Sequence, residues 1–318
     1  MKKTKKRELN NSSLIKNIQK HMGRYWMLYC MLIPGILYLL IFKYIPMYGV
    51  IGAFKDYDGV GRIMDAPWVG WKNFERIFSS RAFKRALENN IVISIEKLIF
   101  GFPTPIILAL LIDSVRNKKL KRLTQTAVIL PGYVSWVVVY GLVYAVLSPS
   151  TGVVSNIAEF MGYQGKIPDL LVQKDTFRGV IIFSYVWKEA GLATIMYLAA
   201  IAGIDQELYE AAILDGAGRF RQMWHITLSG IRPTIATLFI IRVGNIMYAG
   251  FDQIYAMSNE AVMSVADILD TYVHRIGLQQ SNFSLSIAAG LFQSAIGLVL
   301  VLGANYIAKK IEPDSGLF

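Results

Sequence analysis

Long apolar runs alternate with shorter polar segments along the whole chain. Six runs stand out, at roughly 26–48, 90–112, 126–147, 178–200, 233–256 and 284–307. A helix rises 1.5 Å per residue, so about 20 mainly apolar residues cross the ~30 Å hydrocarbon layer of a bilayer. The pattern predicts an all-α integral membrane fold of six transmembrane helices. Neither a second soluble domain nor a low-complexity linker interrupts it, and no short repeat is visible. The first run follows a basic tail, ends in Lys43-Tyr44-Ile45-Pro46 and lacks a small-residue cleavage site. It is therefore expected to be a retained span and not a cleaved signal peptide. The expected layout is a basic tail over 1–25, a six-span domain over 26–307 with a functional loop at 205–232, and a short tail over 308–318.

Charge gives the orientation. The chain is 54% hydrophobic and only 17% charged, with a net charge of +11, whereas an average soluble domain is about 25% charged. Segments 1–25, 113–125, 205–232 and 308–318 hold 18 basic and 8 acidic residues, while 55–88, 148–178 and 257–283 hold 11 of each. Excess positive charge on alternate loops is the positive-inside pattern and not a nucleic-acid patch. Both termini and the 113–125 and 205–232 loops are expected in the cytoplasm. Tyr57, Trp68 and Trp71, among glycines and charges in the first outward segment, suit an interfacial cap of short amphipathic pieces.

Catalytic chemistry finds little support. Cys30 is the single cysteine, His21, His225 and His274 have no metal-ligand spacing, and no GxxxxGK[ST] phosphate loop occurs. The chain is expected to be no enzyme, to hold no metal or cofactor, and to leave any ATP hydrolysis to another subunit.

The loop 205–232 reads DQELYEAAILDGAGRFRQMWHITLSGIR, followed by Pro233. Asp205 suits a helix N-cap, and Glu207 in the first turn suits the helix dipole. Leu208, Ala211 and Ala212 share a face on which small side chains allow close approach of another backbone. Gly216 and Gly218 end that helix, and Phe220, Met223, Trp224, Thr227 and Leu228 form the stripe of a second. Pro233 is placed to open the fifth span. Amphipathic loops that rest on lipid usually present Lys and Arg, but this first helix presents Asp205, Glu207, Glu210 and Asp215. An anionic leaflet would repel it, so the predicted partner is a basic protein surface.

Glu210-Ala211-Ala212, Asp215-Gly216-Ala217, Ile226-Thr227-Leu228 and Pro233 resemble the "EAA" coupling loop of binding-protein-dependent ABC importer permeases. LIPGILYLLIFKYIPMYGVIGAFKDY (32–57), PWVGWKNFERIF (67–78), ILPGYVSWVVV (129–139) and ADILDTYVHRIGL (266–278) are similar to the carbohydrate branch related to maltose and multiple-sugar importers, in its oligosaccharide and polysaccharide subgroup. Ser229 departs from the family, which commonly has proline there and a sharper bend. The resemblance implies the type I importer architecture and localisation in the bacterial cell membrane. It also implies a second homologous permease, two ATPase subunits that bind ATP and Mg, and an external, lipid-anchored solute-binding protein delivering an oligosaccharide. Glu210, Ala211, Ala212, Asp215 and Gly216 then carry ATPase coupling.

Ionisable residues within spans cost ~2.5–3.5 kcal/mol at a helix centre, so each calls for a reason. Glu96-Lys97 and Lys188-Glu189 are adjacent opposite charges. Neighbouring helix positions diverge, which points to partners on other spans. Asn245, Tyr248, Asp252 and Tyr255 follow i, i+3, i+7, i+10 on the predicted fifth helix, with Arg242 one turn earlier. Trp136, Tyr140 and Tyr144 form an i, i+4, i+8 stripe on the third. Hydroxyl-bonding groups beside aromatic faces suit sugars, and either stripe also suits helix packing or a seam between permeases. The competing function is an ion-coupled secondary transporter using Glu96, Glu189 or Asp252, against which the missing repeated halves weigh.

Overall fold

The computed structural model describes residues 24–163 and 165–311. The expected tails therefore lie outside the described residues, apart from 24–25 and 308–311. The regular elements of the described residues are all helices, and their only extended pairing is the isolated antiparallel bridge Lys55–Trp68. It divides into two compact units, Met1–Gly52 and Ala53–Phe318.

The first unit holds most of α1, Arg24–Phe54. Its winding widens to a π-turn over Leu40–Tyr44 and resumes with Pro46 in the first turn of Ile45–Met47. Proline removes one donor and crowds the preceding turn, which a wider turn accommodates. Leu32, Ile36, Leu39, Ile41 and Phe42 are all exposed, as lipid-facing side chains are.

In the second unit, α2 is Lys72–Ser79, α3 Arg81–Gly101 and α4 Pro103–Asp113. Helices α3 and α4 together make one 33-residue candidate span. It begins nine residues before the apolar run, because Ser80 caps it and because Phe83 and Ala86 bury themselves against Phe74, Leu269 and Tyr272. The fourth and sixth runs become α8, Lys174–Ala202, and α14, Phe283–Ile311. Helices α1, α3–α4, α8 and α14 are each long and apolar enough to cross a membrane.

The third and fifth runs are not single helices, contrary to the expectation. The third consists of α5, Lys118–Ile129, a 3-10 turn Leu130–Tyr133, and α6, Trp136–Leu147, with a bend of 106°. Pro131-Gly132 stops the first piece, and Ser135 Oγ accepts from Val138 N at 3.4 Å to start the next. Helix α5 begins inside the basic segment read as a loop, with the Asn117 side chain capping Lys119 N and Leu120 N. A short α7, Val153–Phe160, follows. The fifth run follows a 58° bend between Arg219–Gly230 and Arg232–Gly244, and it is itself broken where the chain unwinds over 245–250 before a short helix, Phe251–Met257. Counting each bent pair as one span gives six; counting only single helices gives four.

Close backbone approach binds the bent third run to α8. A Cβ added at Gly191 would lie 1.8 Å from Val128 O, and without a hydrophobic driving force in lipid such tight contact is what holds helices together.

Candidate functional site

The first helix and the turn of the loop after α8 form as the sequence predicts, while a π-turn over Met223–Thr227 breaks the phase of the stripe expected on the second helix. Helix α9, Gln206–Leu214, is capped by Asp205, whose carboxylate accepts from Glu207 N at 3.0 Å. It ends with Gly216 at φ +71. There Gly216 N donates to Ile213 O at 3.0 Å and Ala217 N to Ala212 O at 2.8 Å. This pair of bonds satisfies the last carbonyls and requires a left-handed residue, which glycine adopts without steric cost. Helix α10, Arg219–Gly230, follows, and Tyr209 OH bonds Thr227 Oγ1 at 2.9 Å to tie the two together. Ser229 lies in regular helix, and the 58° bend falls just beyond it, at the start of α11, Arg232–Gly244. Pro233 sits in the first turn of α11, as expected.

What this loop presents is unusual for a surface. Glu210, Ala211, Asp215 and Gly216 are exposed and Ala212 is half-buried. Around them Leu208, Ile213, Leu214, Phe220 and Trp224 are exposed too, Leu214 to 89%. An acidic ridge flanked by bare apolar side chains is the kind of exposed patch that marks an interaction site.

A second feature lies at the centre of the spans. Lys97 is the middle residue of the 33-residue α3–α4 pair and Lys188 the middle residue of the 29-residue α8. At this depth the fifth run unwinds, which frees backbone carbonyls that lipid cannot hydrate. Side chains from other spans take them up. Lys97 Nζ donates to Ala249 O at 2.7 Å, Asn90 Nδ2 to Met247 O at 3.1 Å, and Gln293 Nε2 also to Met247 O at 2.7 Å. Gly250, at φ +99, ends the unwound stretch, and a Cβ there would lie 3.1 Å from Lys97 Nζ. Lys97 also bonds Gln253 Oε1, and Gln253 Nε2 donates to Ile181 O at 2.7 Å, fixing α12, Phe251–Met257, against α8.

Two adjoining cavities of about 210 and 270 Å³ open against this stretch, sharing Gly101, Phe102, Glu189, Arg242 and Asn245. Trp136, Asn245 and Tyr248 line the first, with Lys97 and Tyr185. The proposed stripes thus meet only in part. Tyr140 and Tyr144 continue along α6 with ring centroids 6.2 Å apart, but neither lines either cavity. Asp252 and Tyr255 are exposed on α12 and line neither. The expectation of one shared face from Asn245 to Tyr255 fails because the unwinding at 245–250 breaks the helical phase between Tyr248 and Asp252.

The charges give a second correction. Lys188 pairs with its own neighbour, Nζ to Glu189 Oε1 at 3.0 Å, while reaching Gly132 O at 3.2 Å and standing 5.0 Å from the centre of the Trp136 ring. The side chains diverge at the backbone, but a four-carbon stem is long enough to curl back. Lys97 does find partners on another element, as expected. Glu96 Oε2 is buried with no hydrogen-bond partner. Asn90, Gln253 and Gln293 were not singled out from the sequence; the available signal was an amide side chain inside an apolar run.

The polar segment between α12 and α14 is also tightly built. Asp267, fully buried, accepts from Arg275 at 2.9 and 2.6 Å and from Thr271 at 2.9 Å. Its backbone carbonyl accepts from Asn89 Nδ2 at 3.0 Å, and Arg178 holds Asn89 Oδ1 at 2.8 Å. Within α13, Leu269–His274, Asp270 accepts from Gln293 Nε2 at 2.9 Å, and burial pushes its carboxyl above the usual range. Gln293 therefore links this cap to the unwound stretch. No group of His, Cys, Asp and Glu suited to a metal ion occurs among the described residues.

Comparison with known proteins places this geometry. Residues 101–313 match the family described as "Binding-protein-dependent transport system inner membrane component". The chain is 47% identical over 291 residues to Protein LplB of Bacillus subtilis, covering 92% of this chain and 91% of that one. It is 43% identical over 309 residues to the polygalacturonan/rhamnogalacturonan transport system permease protein YteP of the same organism, covering 97% and 94%. Among solved structures it is similar to a chain of a bacterial ABC transporter involved in import of the acidic polysaccharide alginate, with TM-score 0.85, 42% identity, and 93% of this chain and 99% of that chain covered. A second structure, of bacterial alginate ABC transporter in complex with alginate pentasaccharide-bound periplasmic protein, gives TM-score 0.84 and 42% identity over 92% and 97%.

Proposed function

Because the chain belongs to the binding-protein-dependent transport system inner membrane components, we propose that it forms half of the path by which an ATP-driven importer takes up an oligosaccharide. A multi-pass membrane subunit of this kind is a transport component and not an enzyme. Its relatives' transport of polygalacturonan, rhamnogalacturonan and alginate supports a sugar polymer fragment as cargo. The observation that carries the reading is the pair of cavities against the unwound 245–250 stretch. A broken span at the membrane midplane, lined by Trp136, Asn245 and Tyr248, offers aromatic faces and hydrogen-bonding groups where a substrate must pass. Each cavity is smaller than the roughly 300–1,000 Å³ of a drug-sized ligand site, in keeping with a single sugar ring and with a second, related permease completing the path.

The 205–232 loop is the coupling element. Placed on the cytoplasmic side with both termini, α9 inserts into a cleft of an ATPase subunit. There Glu210 meets a basic side chain, Ala211 and Ala212 allow close contact, and Asp215-Gly216 form the turn. Two ATPase subunits hold ATP and Mg; an external, lipid-anchored binding protein delivers the sugar. Closure of the ATPases pulls on α9, and α10 and α11 carry the motion towards the unwound stretch. Ion-coupled exchange through Glu96, Glu189 or Asp252 gains nothing from the family membership. The test is uptake into proteoliposomes by the purified complex. Uptake should need both ATP and the binding protein and ignore ionophores; uptake driven by an ion gradient without ATP would overturn the proposal.

A further inference from the structure

Two cations and one carboxylate line the cavities, Lys97, Arg242 and Glu189, and a third cation, Lys188, stands behind the wall on Glu189. Glu189 is already engaged, by Lys188 at 3.0 Å. The lysines have evident structural work. Lys97 holds Ala249 O and stands 4.6 Å from the centre of the Tyr185 ring, while Lys188 holds Gly132 O and faces the Trp136 ring. Arg242 differs. Its Nη1 donates to the Tyr185 hydroxyl at 2.7 Å, a neutral partner. The ion pairs among the described residues are Arg85–Asp267, Lys121–Asp113, Lys188–Glu189 and Arg275–Asp267, so no carboxylate lies within 4.0 Å of its guanidinium. It nonetheless lines both cavities, near the middle of the fifth run.

We propose that this site selects oligosaccharides carrying carboxylate groups, with Arg242 as the residue that receives the carboxylate. The inference deepens the oligosaccharide reading and rests on it. A guanidinium at this depth with no carboxylate in direct contact is costly, and its cost is relieved when an anion arrives. Its five donors form a planar fork matched to the two oxygens of a carboxylate, of which the Tyr185 hydroxyl engages only one nitrogen. The surplus of positive charge over the single paired carboxylate draws an anionic sugar into the low-dielectric middle of the path, where a charge is felt most strongly. Asn245, one turn beyond Arg242, and Tyr248 supply hydrogen bonds for the hydroxyls of the same sugar unit, and Trp136 supplies an apolar face for its C–H surface. Arg242 thus sets specificity, while Lys97 and Lys188 position the walls.

The experiment compares a short oligogalacturonate with its methyl ester, which keeps the sugar and removes the charge. The intact complex in proteoliposomes, with its binding protein, should take up the free acid about tenfold faster than the ester. Arg242→Gln should reduce acid uptake about tenfold and collapse the acid-to-ester ratio towards one, and Arg242→Lys should restore part of the loss; a tenfold change corresponds to ~1.4 kcal/mol. Acid binding to the complex in nanodiscs without the binding protein should weaken likewise, which removes the binding protein's own selectivity from the result. Equal rates for acid and ester in the unaltered complex would overturn the proposal, as would an unchanged acid-to-ester ratio in Arg242→Gln. Should the glutamine variant fail to assemble, acid and ester binding to the Arg242→Lys complex in nanodiscs decides, an acid-to-ester ratio equal to that of the unaltered complex overturning the role of Arg242. Entry of the ester and neutral oligosaccharides but not the acid would sink this inference and spare the oligosaccharide reading. Entry of no oligosaccharide would remove both.

Discussion

Lys97 and Ala249 are 152 residues apart, yet the ammonium of the first donates to the carbonyl of the second at 2.7 Å. This bond lets a membrane helix stop, run unwound from 245 to 250, and start again without leaving its backbone unsatisfied in lipid. Replacing Lys97 with Met keeps the bulk and removes the donor, orphaning Ala249 O and Gln253 Oε1. A buried acceptor left unpaired costs about 1–3 kcal/mol. The variant complex should melt at lower temperature and lose transport, with Lys97→Gln intermediate. Thermal unfolding in detergent measures it, and an unchanged midpoint for Lys97→Met would show that the unwound stretch holds itself.

Glu210→Lys reverses the charge on the exposed face of α9. Losing one partner of a desolvated interface pair costs about 2–5 kcal/mol, so ATPase association should weaken roughly 30-fold or more. Gly216→Val should act similarly by another route, since its φ of +71 is strained for a branched side chain. Both variants should still insert, because neither alters a span. Co-purification of the ATPase with uptake and hydrolysis rates on the same preparation would show normal coupling in both variants if the loop has another role.

Asp267 and Asp270, three residues apart, should respond to amidation in opposite directions. Asp267→Asn leaves Arg275 without its buried partner, and breaking such a pair costs about 3–5 kcal/mol. The cap between α12 and α14 should loosen, visible as faster amide exchange over 263–279 and a lower melting temperature.

Asp270→Asn should instead stabilise. Burial raises the Asp270 pKa above the ordinary 3.8, opposed only in part by the Gln293 hydrogen bond. The folded state therefore holds this proton more tightly than the unfolded chain, and stability from this group is fully present below the unfolded value and lost as pH rises through the folded one. Asparagine keeps an acceptor for Gln293 without the charge. The melting-temperature gain of the variant should grow from about pH 4 to about pH 7; a gain independent of pH would contradict the burial argument.

At Gly191 an added Cβ would meet Val128 O at 1.8 Å, which is backbone and cannot swing aside. Gly191→Val should push α8 and α5 apart at a cost of about 1–3 kcal/mol or more, as overpacking does, and assembly yield measures it.

How far the sequence reveals this molecule depends on which groups do the work. Caps and turns are local, so Asp205, Gly216 and Pro233 occupy the roles their neighbours imply. Unbroken spans are legible because apolarity over about 20 residues is itself the requirement. The breaks in the third and fifth runs are not, since hydropathy averages over a window and is blind to a carbonyl rescued by Lys97, Asn90 or Gln293 from elsewhere in the chain. That blindness also misled the Asn245–Tyr255 periodicity, which holds only while the helix does. For Lys188 and Glu189 the divergence of adjacent side chains was the wrong measure, because the reach of a lysine stem outweighs it. The resemblance of the 205–232 motif reached the family and the polar positions in the runs reached Trp136, Asn245 and Tyr248, but Tyr185 and Gln253 had to be seen in place.

The unwound 245–250 stretch separates two duties that a continuous helix would combine. Its backbone carbonyls are held from outside by Asn90, Lys97 and Gln293, so the side chains at 245 and 248 are not needed to satisfy them. A lineage that keeps those three supports and the glycine at 250 can exchange the residues facing the cavities one at a time. New diets become reachable by small steps, each leaving a machine that still assembles.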